Sequence, residues 1–341
     1  MLRFLGSTKV SLAIDLGTRN ILISNSQKVL FRQQTVAAFS SGDDGDPKRK
    51  IIVGTRAEEI FQKRPSQYEI VRPLRRGVIC DLSHCKKILE SALKEVTKHF
   101  LRKPGILISC PLDVTLIEKA AFKDVLSNIG FSKVELVPEP TAAAAGMFSN
   151  FHKKKGLLVV DIGAGITEAV VFSLGGIICN TSARIGGEDL EYAIAHYIKT
   201  HFDFEIGNQA ALLLLSILGD DHPDSYLQAI ELKGLSIQSR LPGTLKIEMM
   251  DIRQALDEHF RVIVQTVRRA LEIIPEELSS DIIENGIYLT GGASQYRRLV
   301  EMLQKETGLT VNVDTQPLLG VARGEIALLQ DTKLRTFCVN N

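Results

Sequence analysis

Apolar residues along the chain fall into two rhythms. Short runs rich in β-branched residues suit a pleated, half-buried surface. They predict strands at 10–14, 20–24, 51–53, 106–110, 134–137, 157–160, 169–173, 176–179, 245–248 and 286–290. Helical periodicity is clearest in "HCKKILESALKEVTKHFL", residues 84–101, where Ile88, Leu89, Ala92, Leu93, Val96 and Phe100 recur on one face. The same period predicts helices at 115–129, 140–149, 187–202, 250–274, 296–307 and 317–330. Strands come as hairpins early in each half and then alternate with helices, which is the pattern of α/β layers built on mixed sheets.

One hairpin occurs twice. "LAIDLGTRNILIS" (12–24) and "VVDIGAGITEA" (159–169) each run an aliphatic strand into an Asp, turn on glycine and start a second strand, about 146 residues apart. The repeat opens each half of the chain and implies an internal duplication, with the halves meeting near "NFHKKKG", 150–156. Turn-rich insertions interrupt the pattern at 39–50, "FSSGDDGDPKRK", and at 219–226, "GDDHPDSY".

With 341 residues the chain has room for two domains or one large bilobed one, and 45% hydrophobic with 24% charged residues is ordinary globular composition. A net charge of +1 provides no global basic field for nucleic acid, and the local runs "DPKRK", "LRRG" and "HKKKG" read as solvated loops. The five cysteines (80, 85, 110, 179, 338) form no CxxC pair and fit reduced thiols of a cytosolic protein. No apolar run approaches the ~20 residues of a membrane helix.

Glycine at each repeated turn lets backbone N–H groups converge on an oxyanion, and an Asp at the end of the strand can hold Mg²⁺ through water. A strand-Asp-Gly turn alone is commonplace, but two at the heads of two halves can clamp one polyphosphate, with Asp15 and Asp161 flanking the metal. A third glycine element, Thr290-Gly291-Gly292, ends a strand and opens a helix without Walker A spacing. In "LVPEPTAAAAGMF" (136–148), Glu139 either simply favours a helix N-terminus or orients a water toward a terminal phosphate.

"DLGTRN", "VICDL" with Asp81, "EPTAAAAG", "DIGAGITE", "RIGGEDLE" and "IYLTGGAS" stand in the order used by the actin, Hsp70 and sugar-kinase superfamily. Within it the chain resembles the MreB family, bacterial actin-like rod-shape proteins, over roughly residues 8–330. The resemblance implies an actin-like ATPase fold of two duplicated lobes with mixed sheets around a nucleotide cleft. The first lobe is expected over 1–150 with a small insertion at about 36–71. The second is expected over 151–330 with one at about 188–249, leaving 331–341 as a tail. By position the resemblance places Thr18, Arg19 and Asn20 on the first phosphate loop and Gly163, Ala164, Gly165, Ile166 and Thr167 on the second. It places Asp15 and Asp161 on the Mg²⁺ side, Gly291, Gly292, Ala293 and Ser294 on the adenosine-side turn of ATP, and Glu139 on the water-orienting glutamate.

Three departures from the family pattern matter. Loop two reads Gly-Ala-Gly-Ile-Thr where Gly-Gly-Gly-Thr-Thr is usual, so Ile166 replaces a threonine implicated in hydrolysis. "AALLLLSIL" puts Leu212 and Leu215 where a Glu-x-x-Lys helix contacts the nucleoside. Arg19 replaces a small residue, and its guanidinium either adds a phosphate contact or obstructs one.

"MLRFL" places Met1, Leu2, Phe4 and Leu5 around Arg3, which is either a short amphipathic membrane anchor or a frayed start. Phe100 and Leu101 either match the family's membrane-inserting loop or complete the core stripe of their helix. The leading functional expectation is a cytoplasmic, ATP-binding cytoskeletal protein, peripheral at the inner membrane. It would form head-to-tail filaments and guide peptidoglycan synthesis with a membrane-anchored rod-shape adaptor and the wall-elongation proteins. The alternatives are a hydrolysis-deficient scaffold of the same fold, a small-molecule kinase, for which no second catalytic carboxylate motif is present, and an Hsp70-like chaperone, which needs a long substrate domain.

Overall fold

Val10–Leu16 is apolar at alternate positions, Val10, Leu12, Ile14 and Leu16 on one face with Ser11, Ala13 and Asp15 on the other, and in the computed structural model it is the central strand of a sheet. The structure describes residues 9–40, 50–63, 67–219 and 229–340, so Met1, Leu2, Phe4 and Leu5 lie outside the described residues. The chain divides into two units. One comprises residues up to Lys155 together with Phe172–Ile178 and Leu318–Asn341; the other comprises Gly156–Val171 and Cys179–Pro317.

The first unit runs β1 (Val10–Leu16), β2 (Asn20–Ser24), β3 (Val29–Gln34), β4 (Ala37–Ser40), β5 (Ile51–Val53), α1 (Thr55–Lys63), β6 (Tyr68–Val71), β7 (Leu74–Arg75), β8 (Val78–Ile79), α2 (Leu82–Thr97), β9 (Gly105–Cys110), α3 (Leu116–Ser127), β10 (Val134–Pro138) and α4 (Glu139–Met147). Its main sheet has the order β10-β9-β1-β2-β3, with β1 antiparallel to β2 and parallel to β9. Leu12, Ile14 and Leu16 join Ile106, Ile108, Leu89, Leu93, Phe122 and Val125 in one core. Asp81 caps α2 by accepting from the His84 amide at 3.0 Å, and Thr115 with Glu118 forms a capping box on α3. A smaller sheet, β5-β4-β6, carries α1 on a satellite core of Val36, Ala38 and Ala57.

The second unit follows with β11 (Leu157–Ile162), β12 (Thr167–Ser173), β13 (Gly176–Ala183), α5 (Gly187–Phe202), β14 (Phe204–Ile206), α6 (Asn208–Gly219), β15 (Ala229–Ser236), β16 (Pro242–Glu248), α7 (Met249–Glu272), α8 (Glu276–Asn285), β17 (Ile287–Thr290), α9 (Arg297–Thr307) and β18 (Val311–Val313). Its main sheet has the order β13-β12-β11-β17-β18, so the first three strands of each half form a meander and the next two extend the other edge. The duplication read from one hairpin therefore holds for two whole sheets. Strands β14, β15 and β16 build a separate three-stranded sheet in that order.

The chain then returns to the first unit as α10 (Gly320–Gln330) and α11 (Thr332–Asn340). Helix α10 lies on α4 with backbones touching. A Cβ on Gly146 would sit 2.6 Å from the Gly320 carbonyl oxygen, and one on Gly324 would overlap the carbonyl of Ala142. The slim Ala142–Ala145 run permits this approach.

The structure differs from the sequence reading at three places. Leu318–Gln330 belongs with the first unit, although the lobe boundary was expected at 330, and residues 332–340 are a packed helix in which Arg335 pairs with Glu135 at 3.0 Å. Helix α2 ends at Thr97, so Phe100 does not complete its stripe. Phe100 and Leu101 instead stand exposed in the following turn, Leu101 fully so. Helices α1, α6, α8 and α11 and several short strands add to the elements predicted from the sequence, each of them a short element of at most 12 residues.

Candidate functional site

In the first unit β1 delivers Asp15, half-buried, to a four-residue turn in which the Gly17 amide donates to the Asn20 carbonyl at 2.9 Å. The turn is braced from behind. The Thr35 hydroxyl donates to the Gly17 carbonyl at 2.9 Å, and the Thr35 amide donates to Arg19 at 2.8 Å. Thr18 is buried and its hydroxyl accepts from the Gly77 amide at 3.0 Å, which leaves its own proton to donate. Glu139 is the first residue of α4, directly after Pro138, and is half-buried.

The second unit repeats the geometry. The Gly163 amide donates to the Ile166 carbonyl at 2.9 Å, so Ala164, Gly165 and Ile166 correspond to Thr18, Arg19 and Asn20, and Asp161 corresponds to Asp15. Here the brace is the start of α5. Gly187 and Glu188 amides donate to the carbonyls of Gly163 and Ala164 at 3.0 and 2.8 Å, and a Cβ on Gly186 would meet the Ala164 oxygen at 2.6 Å. Ile166 is 4% exposed. Thr167 is fully buried, and its hydroxyl donates to the Ile185 carbonyl at 2.9 Å.

Gly291 has a φ of +81°, and a Cβ there would collide with the Asp161 carboxylate and the Ile162 carbonyl. The glycine turn after β17 thus lies against the same strand end that carries Asp161. Within it Ala293 and Ser294 are buried, and the Ser294 hydroxyl donates to the Gly291 carbonyl at 2.7 Å, so Ser294 braces the turn from inside. Leu215 is 2% exposed within the core of the second unit and Leu212 is half-buried, so Leu215 serves packing.

Each Asp has an acidic neighbour that sequence reasoning missed. Burial, and then the charge of Asp314, pushes the Asp161 carboxyl up from 3.8 to about 6. Asp314 also accepts from the Thr290 hydroxyl at 3.3 Å. In the first unit Glu325 of α10 is completely buried, and burial, then the charge of Asp15, raises its carboxyl well above the usual range, with Ser109 opposing. Gly186 lies in "RIGG", but neither Asp314, after a strand the sequence reading did not include, nor Glu325 in "GVARGEIALLQ" is marked by its local sequence.

All the oxygen donors here suit a hard cation such as Mg²⁺. Among the described residues no helix is long and apolar enough to cross a membrane.

The MreB/Mbl protein family matches residues 9–336. The chain is 35% identical to the cell shape-determining protein MreB of Escherichia coli K12 over 94% of each chain. It is 32% identical to the cell shape-determining protein Mbl of Bacillus subtilis 168, over 94% of this chain and 96% of that one. The crystal structure of MreB5 of Spiroplasma citri bound to ADP superposes with a TM-score of 0.85 at 27% identity, over 96% of this chain and 97% of that one. The AMPPNP-bound form gives 0.84 at 26%, over 98% and 99%.

Proposed function

Because the chain belongs to the MreB/Mbl family, we propose that it is an ATP-binding, actin-like cytoskeletal protein that determines cell shape by polymerising head to tail at the inner membrane face. The observation that carries this reading is the repeated hairpin: two turns of one geometry, each two residues beyond an aspartate. Loop amides from Gly17–Asn20 and Gly163–Ile166 would bind phosphate oxygens, and the Gly291–Gly292 backbone, bare of side chains, would lie along the nucleoside. Asp15 and Asp161 would hold Mg²⁺, mostly through water; when bound, the cation neutralises phosphate charge. Relatives crystallised with ADP and AMPPNP support the nucleotide class. Filaments would guide peptidoglycan synthesis through a membrane-anchored adaptor and the wall-elongation proteins, with Phe100 and Leu101 as exposed apolar anchors. Pelleting and electron microscopy of the protein with Mg-ATP on anionic liposomes test the proposal. Membrane-bound filaments are expected; a monomer that neither pellets nor binds ATP overturns it.

A second reading keeps the filament and loses most of the hydrolysis. It rests on Ile166, whose side chain brings no hydrogen-bonding group to the turn, and on Thr167, whose hydroxyl donates to the Ile185 carbonyl. Glu139 would then orient water with no hydroxyl partner from loop two.

A further inference from the structure

The side of the first sheet opposite the Phe122 core carries an unusual load of buried polar groups. Strand pairing of β1 with β9 runs Ala13 beside Leu107 and Ile14 beside Ile108, which brings the ends of both strands, with Asp15 and Ser109, together under α10. There Glu325 is 0% exposed, and neither of its carboxyl oxygens makes a well-formed hydrogen bond. The fully buried Ser109 lies beside it and offers the carboxylate its hydroxyl and amide, at a geometry short of a well-formed hydrogen bond. Among the described residues the charge that bears on Glu325 is that of Asp15, which is of the same sign.

A buried acid whose polar support is a single serine is costly to ionise. A second acid beside it raises that cost. Stability of the isolated chain gives no reason to keep the pair, since a glutamine or a methionine would fill the same space on α10. A bound positive charge does give one, and Asp15 is the residue that the proposed function places on the cation side.

We propose that Glu325 is a second carboxylate for the divalent cation of the first unit, acting with Asp15 and the Ser109 hydroxyl. This rests on the nucleotide reading above and adds to it an oxygen donor drawn from α10. Two carboxylates and a hydroxyl are ordinary donors for a hard cation. The consequence is that cation binding relieves a strain built into the cation-free chain, so the cation adds more to folding and to nucleotide affinity than one aspartate per half would.

Three measurements on the full chain test this. Mn²⁺ binding without nucleotide, read by electron paramagnetic resonance, should weaken about tenfold or more in Glu325→Gln, equivalent to about 1.4 kcal/mol. Melting of the Glu325→Gln protein in EDTA should occur at or above the parent temperature, whereas the rise on adding Mn²⁺ should shrink. Fluorescent ATP in EDTA should bind both proteins alike, and the gain on adding Mg²⁺ should be smaller in the variant. If Glu325→Gln binds Mn²⁺ and gains from Mg²⁺ like the parent, Glu325 is a protonated packing residue and the proposal is overturned. If Glu325→Gln does not fold, the parent decides: a melting temperature unmoved by Mn²⁺ alone overturns the proposal, and a rise that Glu325→Asp reduces supports it. A parent that binds Mn²⁺ through Glu325 but no ATP would retain the cation site and remove the nucleotide reading, so the two failures are distinct.

Discussion

Ile166 stands at the turn position that Asn20 holds in the other hairpin, and the adjacent threonine offers no substitute, because its hydroxyl donates to the Ile185 carbonyl inside the unit. Under the proposed nucleotide reading, the second turn would bring no side-chain hydroxyl of residue 166 to a water attacking a terminal phosphate. Loss of one positioning hydrogen bond commonly costs ~3 kcal/mol of barrier, by analogy with oxyanion donors. ATP hydrolysis is expected to be slow with binding largely retained, and Ile166→Thr should raise steady-state phosphate release several-fold; an unchanged rate with intact ATP binding would relieve Ile166 of this role. Thiols differ as sharply. Burial, then Asp81, pushes Cys85 up to about 12, and burial, then Asp331, does the same for Cys338, while Cys80 is exposed. Brief iodoacetamide treatment at mildly alkaline pH should modify Cys80 well before either, as peptide mass mapping would reveal. The two turns are legible in sequence because each sets a glycine two residues beyond an Asp at the end of an apolar strand, whereas the burial of Glu325 depends on a helix that returns from the far end of the chain.

Helix ends and helix contacts separate what patterning reveals from what it hides. The apolar stripe of α2 is plain from Ile88 to Val96, but periodicity alone carries it on to Phe100, past the actual end at Thr97. What stops the helix is local: seven residues after Thr97 the chain reaches Pro104 and then enters β9, and Phe100 and Leu101 emerge into solvent. Changing both to Ser should lower co-sedimentation with anionic liposomes, since two partly inserted side chains at ~25 cal/mol per Å² contribute only a few kcal/mol; unchanged sedimentation would show that the turn is no anchor. The α4–α10 contact is as strict as that turn is open. Gly324→Ala should destabilise the protein by ~2 kcal/mol or more through forced backbone separation. Gly207→Ala, with nothing within 4 Å of the new Cβ, should leave the melting temperature almost unchanged. Equal melting of both variants would mean the helices part without cost.

For the molecule as a whole, acids held above their ordinary range set the response to pH. Asp161 rises from 3.8 to about 6 on folding, through burial first and Asp314 second. The folded state then binds this proton more tightly than the unfolded chain, so its contribution is full below about 4 and lost as pH climbs through about 6, by roughly 3 kcal/mol at most. Urea unfolding in EDTA across this window should show stability falling with pH, and Asp161→Asn should flatten that slope; parallel slopes would contradict it. The duplicated architecture is legible from the hairpins, because the period of the repeat survives divergence of its loops. The return of Leu318–Asn341 to the first unit is not, since no local pattern encodes which of two similar sheets a late helix covers. That return carries a genetic consequence. Every missense change of one base in a glycine codon adds a side chain, so Gly146 and Gly324, where backbone meets backbone, have no mild alleles. A screen for heat-sensitive loss of cell shape should gather at those two codons.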